Sequence, residues 1–182
     1  MYTLIFGLLI TSIFTACSPR TAPASTETSA NANTTTIDRD LKWNPADTVW
    51  TEKVYKSDDE WRKILTDDEF DITRRQGTEY AFSSPLYEVE DKGIYYCTCC
   101  ANPLFTSETK FHSGTGWPSY WKPYSTKSVA VALDNSHGMT RDEVTCARCD
   151  AHLGHVFDDG PKPTGLRYCM DGVALHFEKS KK

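Results

Sequence analysis

Two pairs of cysteines with the same spacing constrain this sequence more than any other feature. Cys97 and Cys100 flank two residues, and Cys146 and Cys149 repeat that spacing farther along the chain. Four thiolates presented in this way suit tetrahedral zinc, which binds sulfur at about 2.3 Å. Residues 101–145 separate the pairs, a longer interval than the roughly 15–20 residues of an ordinary zinc ribbon. The sequence therefore predicts a zinc site whose two halves are brought together by a sheet and not by one hairpin.

Disulfides and dithiol redox pairs are the alternative interpretations of these cysteines. Disulfides are common in secreted proteins, and a Cys-x-x-Cys unit also occurs in redox enzymes. If zinc is bound, four cysteines leave no position for a substrate, so the metal would be structural. Cys99 stands beside Cys100, but Cys97 and Cys99 are too close for the usual knuckle, and Cys100 is the preferred ligand.

The first segment of the chain predicts export. Residues 1–16 carry no charged side chain, and an apolar stretch from Leu4 to Phe14 is followed by small residues, as in a signal peptide. Phe14-Thr15-Ala16-Cys17 resembles a bacterial lipobox, in which the cysteine is lipidated and begins the mature protein. A secretory signal with a chance cysteine and an uncleaved anchor are the alternatives. Each of the three places the folded part outside the cytoplasm, and the periplasmic side of the cell envelope is expected.

A polar segment follows the lipobox. Residues 18–38 are rich in Ser, Thr, Ala, Asn and Pro and contain almost no large apolar side chain, so they cannot bury enough surface to offset the entropy of ordering. We therefore expect a lipoprotein signal peptide in residues 1–16 and a lipidated Cys17 with a flexible tether in 17–40. One folded domain is expected in residues 41–182.

The folded part predicts short helices followed by an antiparallel β core. Ser57 with Glu60 three residues later marks a helix start. A second short helix is expected to begin at Thr66 and to end before Gly77. After Pro85, short alternating runs separated by turn residues are typical of strands; they include residues 93–96, 129–133 and 166–177.

Counting the cysteines isolates a candidate nucleophile. Of the seven, Cys17 and the four expected ligands leave Cys99 and Cys169. If Cys169 lies in a strand, Arg167, Cys169 and Asp171 share one face. A guanidinium beside a thiol favours the thiolate, which is the nucleophilic form. A buried, inert cysteine is the alternative.

Two further motifs carry residues suited to a reactive site. His152 and His155 follow the second cysteine pair, where they could be metal ligands, proton donors near the thiol, or structural residues. A glycine-rich turn at residues 113–119 presents Trp117. This turn lacks the lysine and helix of a phosphate-binding loop, and a hairpin tip with a packed Trp is its alternative interpretation.

Taken together, the motifs closely resemble those of the B-type peptide-methionine (R)-S-oxide reductases. The similarity covers about residues 45–178, nearly the whole mature domain, and the motifs come in family order. They are Arg75-Gln76-Gly77-Thr78-Glu79, Cys97-x-x-Cys100 with Pro103-Leu104-Phe105, residues 110–119, Asp134-Asn135-Ser136-His137-Gly138-Met139 with Arg141, residues 152–161, and Gly165-Leu166-Arg167-Tyr168-Cys169.

The resemblance implies a fold and roles for individual residues. Members of this family are mainly β, with two antiparallel sheets leaning together in a β-tent, or Mss4-like, architecture. With short N-terminal helices and a structural zinc site far from the active site, this is the fold class expected here. By position, Cys169 would be the nucleophile, and Trp117 would pack against the methyl group of the substrate sulfoxide. His152, His155 and Arg167 would form the polar side of the pocket.

The chemistry implied by the resemblance suits these residue types. A sulfoxide sulfur is a poor electrophile, so thiolate attack needs a proton delivered to the sulfoxide oxygen. Histidine suits this task because its pKa is near neutrality, and His155 is the leading acid. Collapse of the adduct would release methionine and leave Cys169 as a sulfenic acid.

Two positions depart from the family pattern. Many relatives have cysteine at the position of Thr115, where it resolves the sulfenic acid as a disulfide, and threonine cannot do so. Recycling is expected to use a thioredoxin-like reductant directly, with Cys99 as the alternative thiol. Asp171-Gly172 stands where Asn-Ser is usual. An ionised Asp171 only accepts hydrogen bonds and raises the thiol pKa unless Arg167 offsets it, whereas a protonated Asp171 could itself be the acid.

Charge and composition exclude one other class of zinc protein. The formal net charge is −5, and a basic, aromatic-laced patch is missing, so a nucleic-acid-binding zinc ribbon is not expected. The alternative to an active enzyme is a catalytically weak, zinc-stabilised binding module for oxidised envelope proteins. The main expectation is a monomeric enzyme, attached to the membrane through a lipid on Cys17, that repairs oxidised proteins.

Overall fold

The described part of the chain comprises residues 52–135 and 138–181 in a computed structural model. The chain divides into two units, residues 1–35 and 36–182, and every described residue belongs to the second unit. None of the described helices has the length and apolar character needed to cross a bilayer.

The predicted export segment lies outside the described residues. This holds for the signal peptide in residues 1–16, for the lipidated Cys17 with its tether in 17–40, and for the start of the domain at residue 41. These boundaries stay predictions.

Two short α-helices come first in the described chain, and both begin where their capping residues predict. Helix α1 spans Asp58–Arg62 and helix α2 spans Asp67–Arg75. Ser57 and Thr66 are the N-caps, and each forms a reciprocal capping box with the glutamate three residues later. Such a box satisfies two backbone donors that a helix start leaves free. Gln76 is the C-cap of α2 and adopts the left-handed conformation with φ 58°. Both expected helices are confirmed.

The helices pack on the core through one aromatic residue each. Trp61 of α1 and Phe70 of α2 are both 1% exposed. The guanidinium of Arg74 lies 5.1 Å from the Trp61 ring centroid and donates a 2.9 Å hydrogen bond to the carbonyl of Cys149. Helix α2 is therefore attached directly to the second cysteine pair.

Nine strands in the described residues form two antiparallel sheets. The smaller sheet has the order β2-β1-β9, and the larger has the order β3-β4-β8-β7-β6-β5. This arrangement confirms the expected mainly β fold class. The strands are β1 Gly93–Cys97, β2 Pro103–Thr106, β3 Lys110–Phe111, β4 Ser119–Tyr120, β5 Val129–Asp134, β6 Arg141–Cys146, β7 His152–Phe157, β8 Arg167–Met170 and β9 Leu175–Lys179, and short 3-10 turns lie at Pro85–Tyr87, Ser107–Thr109 and Gly172–Ala174.

An aromatic layer joins the two sheets. Phe105 of β2 stacks on Tyr120 of β4, with ring centroids 4.4 Å apart. Tyr95 of β1 meets the same Tyr120 ring edge-on at 5.1 Å, and Tyr168 of β8 lies 5.8 Å from Phe105. Strands β1 and β2 belong to the smaller sheet, whereas β4 and β8 belong to the larger one. These ring contacts therefore form the core between the sheets.

The segment 166–177 crosses from one sheet to the other. Strand β8 ends at Met170 in the larger sheet, and β9 begins at Leu175 in the smaller one. The crossing passes through Asp171 and Gly172, and a Cβ on Gly172 would collide with Ser84 Oγ. A residue larger than glycine would therefore require the Ser84 side chain to move.

Candidate functional site

The four predicted zinc ligands come together in one buried cluster. The Sγ atoms of Cys97, Cys100, Cys146 and Cys149 all lie within 4.8 Å of one another. Cys97 and Cys149 are 3.7 Å apart, and Cys100 and Cys146 are 3.6 Å apart. A tetrahedron with bonds of about 2.3 Å has sulfur–sulfur edges of about 3.8 Å, whereas a disulfide needs about 2.05 Å. The cluster therefore fits a tetrahedral zinc ion and not a disulfide pair.

The two cysteine pairs are built in the same way on different sheets. In the first pair, the N–H of Ala101 donates to the carbonyl of Cys97 at 2.8 Å, and in the second the N–H of Asp150 donates to the carbonyl of Cys146 at 2.9 Å. Ala101 and Asp150 both have a positive φ, 61° and 56°. The first pair begins at the last residue of β1 in the smaller sheet, and the second begins at the last residue of β6 in the larger sheet. A bound metal would therefore connect the two sheets.

Cys169 is set apart from the other thiols by its exposure. All six cysteines in the described residues are free, and five of them are buried, whereas Cys169 is only partly buried. The other spare thiol, Cys99, is 1% exposed, and its Sγ donates to Thr73 Oγ1 at 3.3 Å. Among the described thiols, Cys169 is thus the one that a substrate can reach most easily.

The strand register places His155 directly beside this thiol. Cys169 of β8 pairs with His155 of β7 on one side and with Ser119 of β4 on the other. His155 pairs in turn with Glu143 of β6. Residues paired across antiparallel strands project from the same face with Cβ atoms about 5 Å apart. The histidine and the thiol therefore share one face of the larger sheet.

Hydroxyl groups surround the sulfur on the side away from His155. Thr115 Oγ1 lies 3.8 Å from Cys169 Sγ. Ser113 Oγ lies 2.8 Å from Thr115 Oγ1 and 2.7 Å from Ser119 Oγ. The hydroxyls form a connected group that can donate to a charged sulfur.

Burial is the largest influence on the ionisation of this thiol. It raises the pKa of Cys169 above the usual range, and the nearby Asp171 adds to that rise. The Thr115 hydroxyl and the Arg167 charge lower the pKa without reversing the effect. The sequence predicted that Arg167 would favour the thiolate. The direction of its influence is as predicted, but desolvation outweighs it because the sulfur is largely shielded from water.

Both histidines have carboxylates as partners. His155 Nε2 lies 3.0 Å from Asp134 Oδ2, and burial lowers the pKa of His155. His152 is 4% exposed, with Nδ1 2.7 Å from Glu143 Oε1 and Nε2 3.7 Å from Asp171 Oδ2. The two imidazole rings meet edge-on at 5.4 Å. In the described residues neither histidine joins the cysteine cluster, so the metal-ligand interpretation is not supported.

Arg167 is held by an aspartate that the sequence reasoning missed. Its Nε and Nη2 atoms each donate a 2.8 Å hydrogen bond to the carboxylate of Asp159. The guanidinium also lies 4.3 Å from the Phe157 ring centroid. This pairing lowers the pKa of Asp159 and raises that of Arg167. Asp159 belongs to the histidine motif in the sequence, which was a usable signal for its role.

Asp171 lies one residue beyond the end of β8 and keeps an extended backbone conformation. Its side chain is 3% exposed and turns toward the loop after α2. There Asp171 Oδ1 accepts hydrogen bonds from Thr78 Oγ1 at 2.8 Å and from the N–H of Glu79 at 3.0 Å. Burial raises the pKa of Asp171 above its usual range.

Trp117 is joined to the same framework. Its Nε1 donates to the carbonyl of Glu79 at 3.2 Å. The next residue, Pro118, accepts a 3.0 Å hydrogen bond from the N–H of Met170. The indole is half-buried. The loop that presents Trp117 is thus attached to the strand that carries Cys169.

Three further carboxylates near the site were not predicted as site residues. Asp134 lies in β5, Glu143 lies in β6, and Glu79 lies in the loop after α2. The Glu79 carboxylate accepts hydrogen bonds from the N–H groups of Gly172 at 2.7 Å and Val173 at 3.0 Å. Only Glu79 and Asp134 stood within recognised motifs, and the sequence carried no separate signal for Glu143.

Comparison with known proteins gives consistent matches over the described domain. The model of the SelR domain matches residues 65–179. A Hahella chejuensis protein described as "Peptide methionine sulfoxide reductase MsrB" is 51% identical over 129 residues, or 71% of this chain and 93% of that protein. Proteins with the same description match at 55% over 126 residues in Thioalkalivibrio sulfidiphilus, covering 69% of this chain and 92% of that protein, and at 50% over 129 residues in Methanosarcina mazei, covering 71% and 92%.

Proposed function

The chain belongs to the SelR-domain family of MsrB peptide methionine sulfoxide reductases, and we propose that Cys169 is the nucleophile with which it reduces methionine-(R)-sulfoxide. One observation carries the assignment of the nucleophile. Cys169 is the partly exposed thiol among the described cysteines, and its strand partner is His155. With reductases among relatives at this identity, the alternative of a binding module without turnover is not favoured.

The reaction moves one oxygen atom and two electrons. The Cys169 thiolate attacks the sulfoxide sulfur while the sulfoxide oxygen accepts a proton. The oxygen ends on Cys169 as a sulfenic acid, and the substrate leaves as methionine. The substrate sulfur is reduced by two electrons, and the cysteine sulfur is oxidised by two. Two thiol groups of an external reductant then become a disulfide, and the oxygen leaves as water.

Two groups near the thiol can hold the proton that the sulfoxide oxygen needs. His155 lies beside Cys169 on the sheet face, and its lowered pKa reduces the protonated fraction at neutral pH. Asp171 follows Cys169 by two residues, and its raised pKa increases the protonated fraction. The two shifts are opposite in sign because burial disfavours the charged form of each group, the imidazolium of His155 and the carboxylate of Asp171.

The proposal also includes a structural zinc ion, a location in the cell envelope and the reductant that recycles the enzyme. A structural zinc ion bound by Cys97, Cys100, Cys146 and Cys149 is supported by the sulfur–sulfur distances of the cluster. The lipobox-like sequence ending at Cys17 and the polar tether support a lipoprotein on the periplasmic side. Thr115 in place of a resolving cysteine supports direct reduction by a thioredoxin-like protein.

The proposal is tested by turnover of dabsyl-labelled methionine sulfoxide with dithiothreitol, using the R and S epimers separately. We expect the soluble domain to reduce the R epimer and not the S epimer. Cys169→Ser should abolish turnover, whereas the matched variant Cys99→Ala, which also removes a spare thiol, should retain it. Wild-type protein that fails to reduce the R epimer, or Cys169→Ser that still does so, would contradict the proposal.

A further inference from the structure

We propose that Tyr80 and Phe82 form an aromatic docking surface for an apolar side chain next to the oxidised methionine in an extended polypeptide. This inference rests on the proposed function and names its preferred substrate as an apolar, unfolded segment of an oxidised protein. It depends on a short turn, residues 80–83, which we call the aromatic turn.

The aromatic turn presents two large rings to solvent. Tyr80 is 89% exposed and Phe82 is 64% exposed. Neither residue is part of the buried core. Exposed aromatic side chains placed together are typical of recognition surfaces, since two rotatable bonds give a large contact area at a small cost in entropy.

The turn has a fixed and strained conformation. The N–H and the hydroxyl of Ser83 both donate to the carbonyl of Tyr80, at 3.2 Å and 2.7 Å. Phe82 has a φ of 65°, a region that bulky residues rarely adopt. Backbone strain of this kind persists where surrounding contacts impose it, and such sites cluster at ligand-binding positions.

Glu79 joins the base of the turn to the reactive site. Its N–H donates to Asp171 Oδ1 at 3.0 Å, and its carboxylate accepts from the N–H of Gly172 at 2.7 Å. Its carbonyl accepts from Trp117 Nε1 at 3.2 Å. The residue directly before Tyr80 thus contacts both the segment after the nucleophile and the indole expected to hold the substrate methyl group.

Phe82 also lies directly on the loop that presents Trp117. Its N–H donates to the carbonyl of Gly116 at 2.8 Å. A Cβ on Gly116 would lie 2.9 Å from the Phe82 ring and 2.8 Å from the Cβ of Ala81. Gly116, with φ 92°, therefore permits this close approach. The aromatic turn and the Trp117 loop form one continuous rim beside Cys169.

The position of the surface indicates its occupant. Because the aromatic turn adjoins the Trp117 loop, a polypeptide that places a methionine sulfoxide against Trp117 and runs along this rim brings neighbouring side chains to Tyr80 and Phe82. Methionine is usually packed among apolar residues, and its oxidation places a polar group in that environment. Segments released in this way carry apolar neighbours, which the exposed rings would bury. Free methionine sulfoxide has no neighbouring side chain to use this surface.

The test compares two peptides that differ only beside the methionine-(R)-sulfoxide, one with Leu and Phe and one with Ser and Asn. N-acetyl-methionine-(R)-sulfoxide serves as the small substrate. We expect wild-type kcat/KM to be about tenfold higher for the apolar peptide, the size of effect that burial of one apolar side chain gives. In Tyr80→Ser, the ratio of apolar-peptide to small-substrate kcat/KM should fall about fivefold or more, mainly through KM.

Tyr55→Ser is the matched control, because Tyr55 is also a largely exposed tyrosine, at 79%. It lies next to Val54, whose N–H donates to the carbonyl of Arg148 between the cysteines of the second pair, and so it belongs to a different part of the domain. This control should leave unchanged both the kcat/KM ratio of apolar to polar peptide and the kcat/KM ratio of apolar peptide to small substrate.

Phe82→Ser should act like Tyr80→Ser, but Tyr80 is the decisive position because its exposed ring can be removed without disturbing the core. Equal kcat/KM for the two wild-type peptides, or unchanged ratios in Tyr80→Ser, would overturn the inference. So would sedimentation showing that Tyr80→Ser converts a dimer into a monomer, since a second copy would then occupy the surface. Turnover of the small substrate reports separately on the proposed function.

Discussion

The hydroxyl oxygen of Thr115 lies 3.8 Å from the sulfur of Cys169. Thr115 occupies the position at which, by the sequence resemblance, many relatives carry a resolving cysteine. A sulfur placed there would be close enough to form a disulfide after a small rotation of the side chain. We therefore expect the introduced thiol of Thr115→Cys to form a disulfide with Cys169 after one turnover without reductant, detected as a loss of about 2 Da relative to the reduced protein.

Wild-type protein provides the comparison for this variant. Because the wild-type site has Thr115 and Cys99 is buried away from solvent, the sulfenic acid on Cys169 should persist and react with dimedone. Thr115→Cys should lose most of that labelling. A wild-type disulfide that includes Cys99 after turnover would contradict this expectation and would identify Cys99 as the resolving thiol.

Replacement of Asp171 by asparagine is expected to increase turnover at pH 8. The carboxylate of Asp171 raises the pKa of the Cys169 thiol. The Asn oxygen can still accept the hydrogen bonds from Thr78 and Glu79. Asp171→Asn should therefore raise kcat/KM by up to about tenfold, which is the change in thiolate fraction produced by one unit of pKa.

Asp142→Asn is the matched charge control, because Asp142 is exposed on β6 and pairs with Val156, away from the face of Cys169. It should leave kcat/KM within about twofold of wild type. Slower turnover by Asp171→Asn at pH 8 would indicate instead that a protonated Asp171 delivers the proton to the sulfoxide.

The alkylation rate of Cys169 should report its raised pKa directly. Only the thiolate reacts with iodoacetamide, so a raised pKa moves the midpoint of the rate against pH above that of free cysteine. Arg167→Gln removes a charge that lowers this pKa, so its midpoint should move still higher and its rate at pH 8 should fall. Stopped alkylation followed by peptide mass analysis measures both. A midpoint below that of free cysteine would show that the charges around the sulfur outweigh its burial.

Local signals were sufficient for the parts of the molecule that depend on short stretches of chain. Ser57 and Thr66 predicted both helix starts because a capping box lies within four residues. The spacing of Cys97 and Cys100 predicted their place in the cluster because the knuckle is also local. The hydrogen bonds that Asp171 accepts from Thr78 and Glu79 could not be predicted in this way. They depend on how the chain crosses from one sheet to the other after β8, which the neighbouring sequence does not define.

The electrostatics of the site were the other part that the sequence could not provide. His155 in β7 is hydrogen-bonded to Asp134 in β5, and His152 in β7 is hydrogen-bonded to Glu143 in β6. Such pairs follow from the register of the sheet. The pKa of Cys169 depends on how much of the sulfur is buried, and no residue spacing reports that quantity.

Removal of the metal is expected to destabilise the domain, because the four cysteines join β1 of the smaller sheet to β6 of the larger one. Atomic analysis of the purified protein should find one zinc per chain. Cys146→Ala should lose the metal and lower the thermal midpoint, since it removes one of the four ligands and structural zinc sites contribute directly to folding. Cys99→Ala is the matched control, because Cys99 lies between Cys97 and Cys100 but outside the cluster, and it should retain one zinc. Full zinc occupancy in Cys146→Ala, or wild-type protein with no metal and blocked thiols, would show that these cysteines stabilise the sheets in another way.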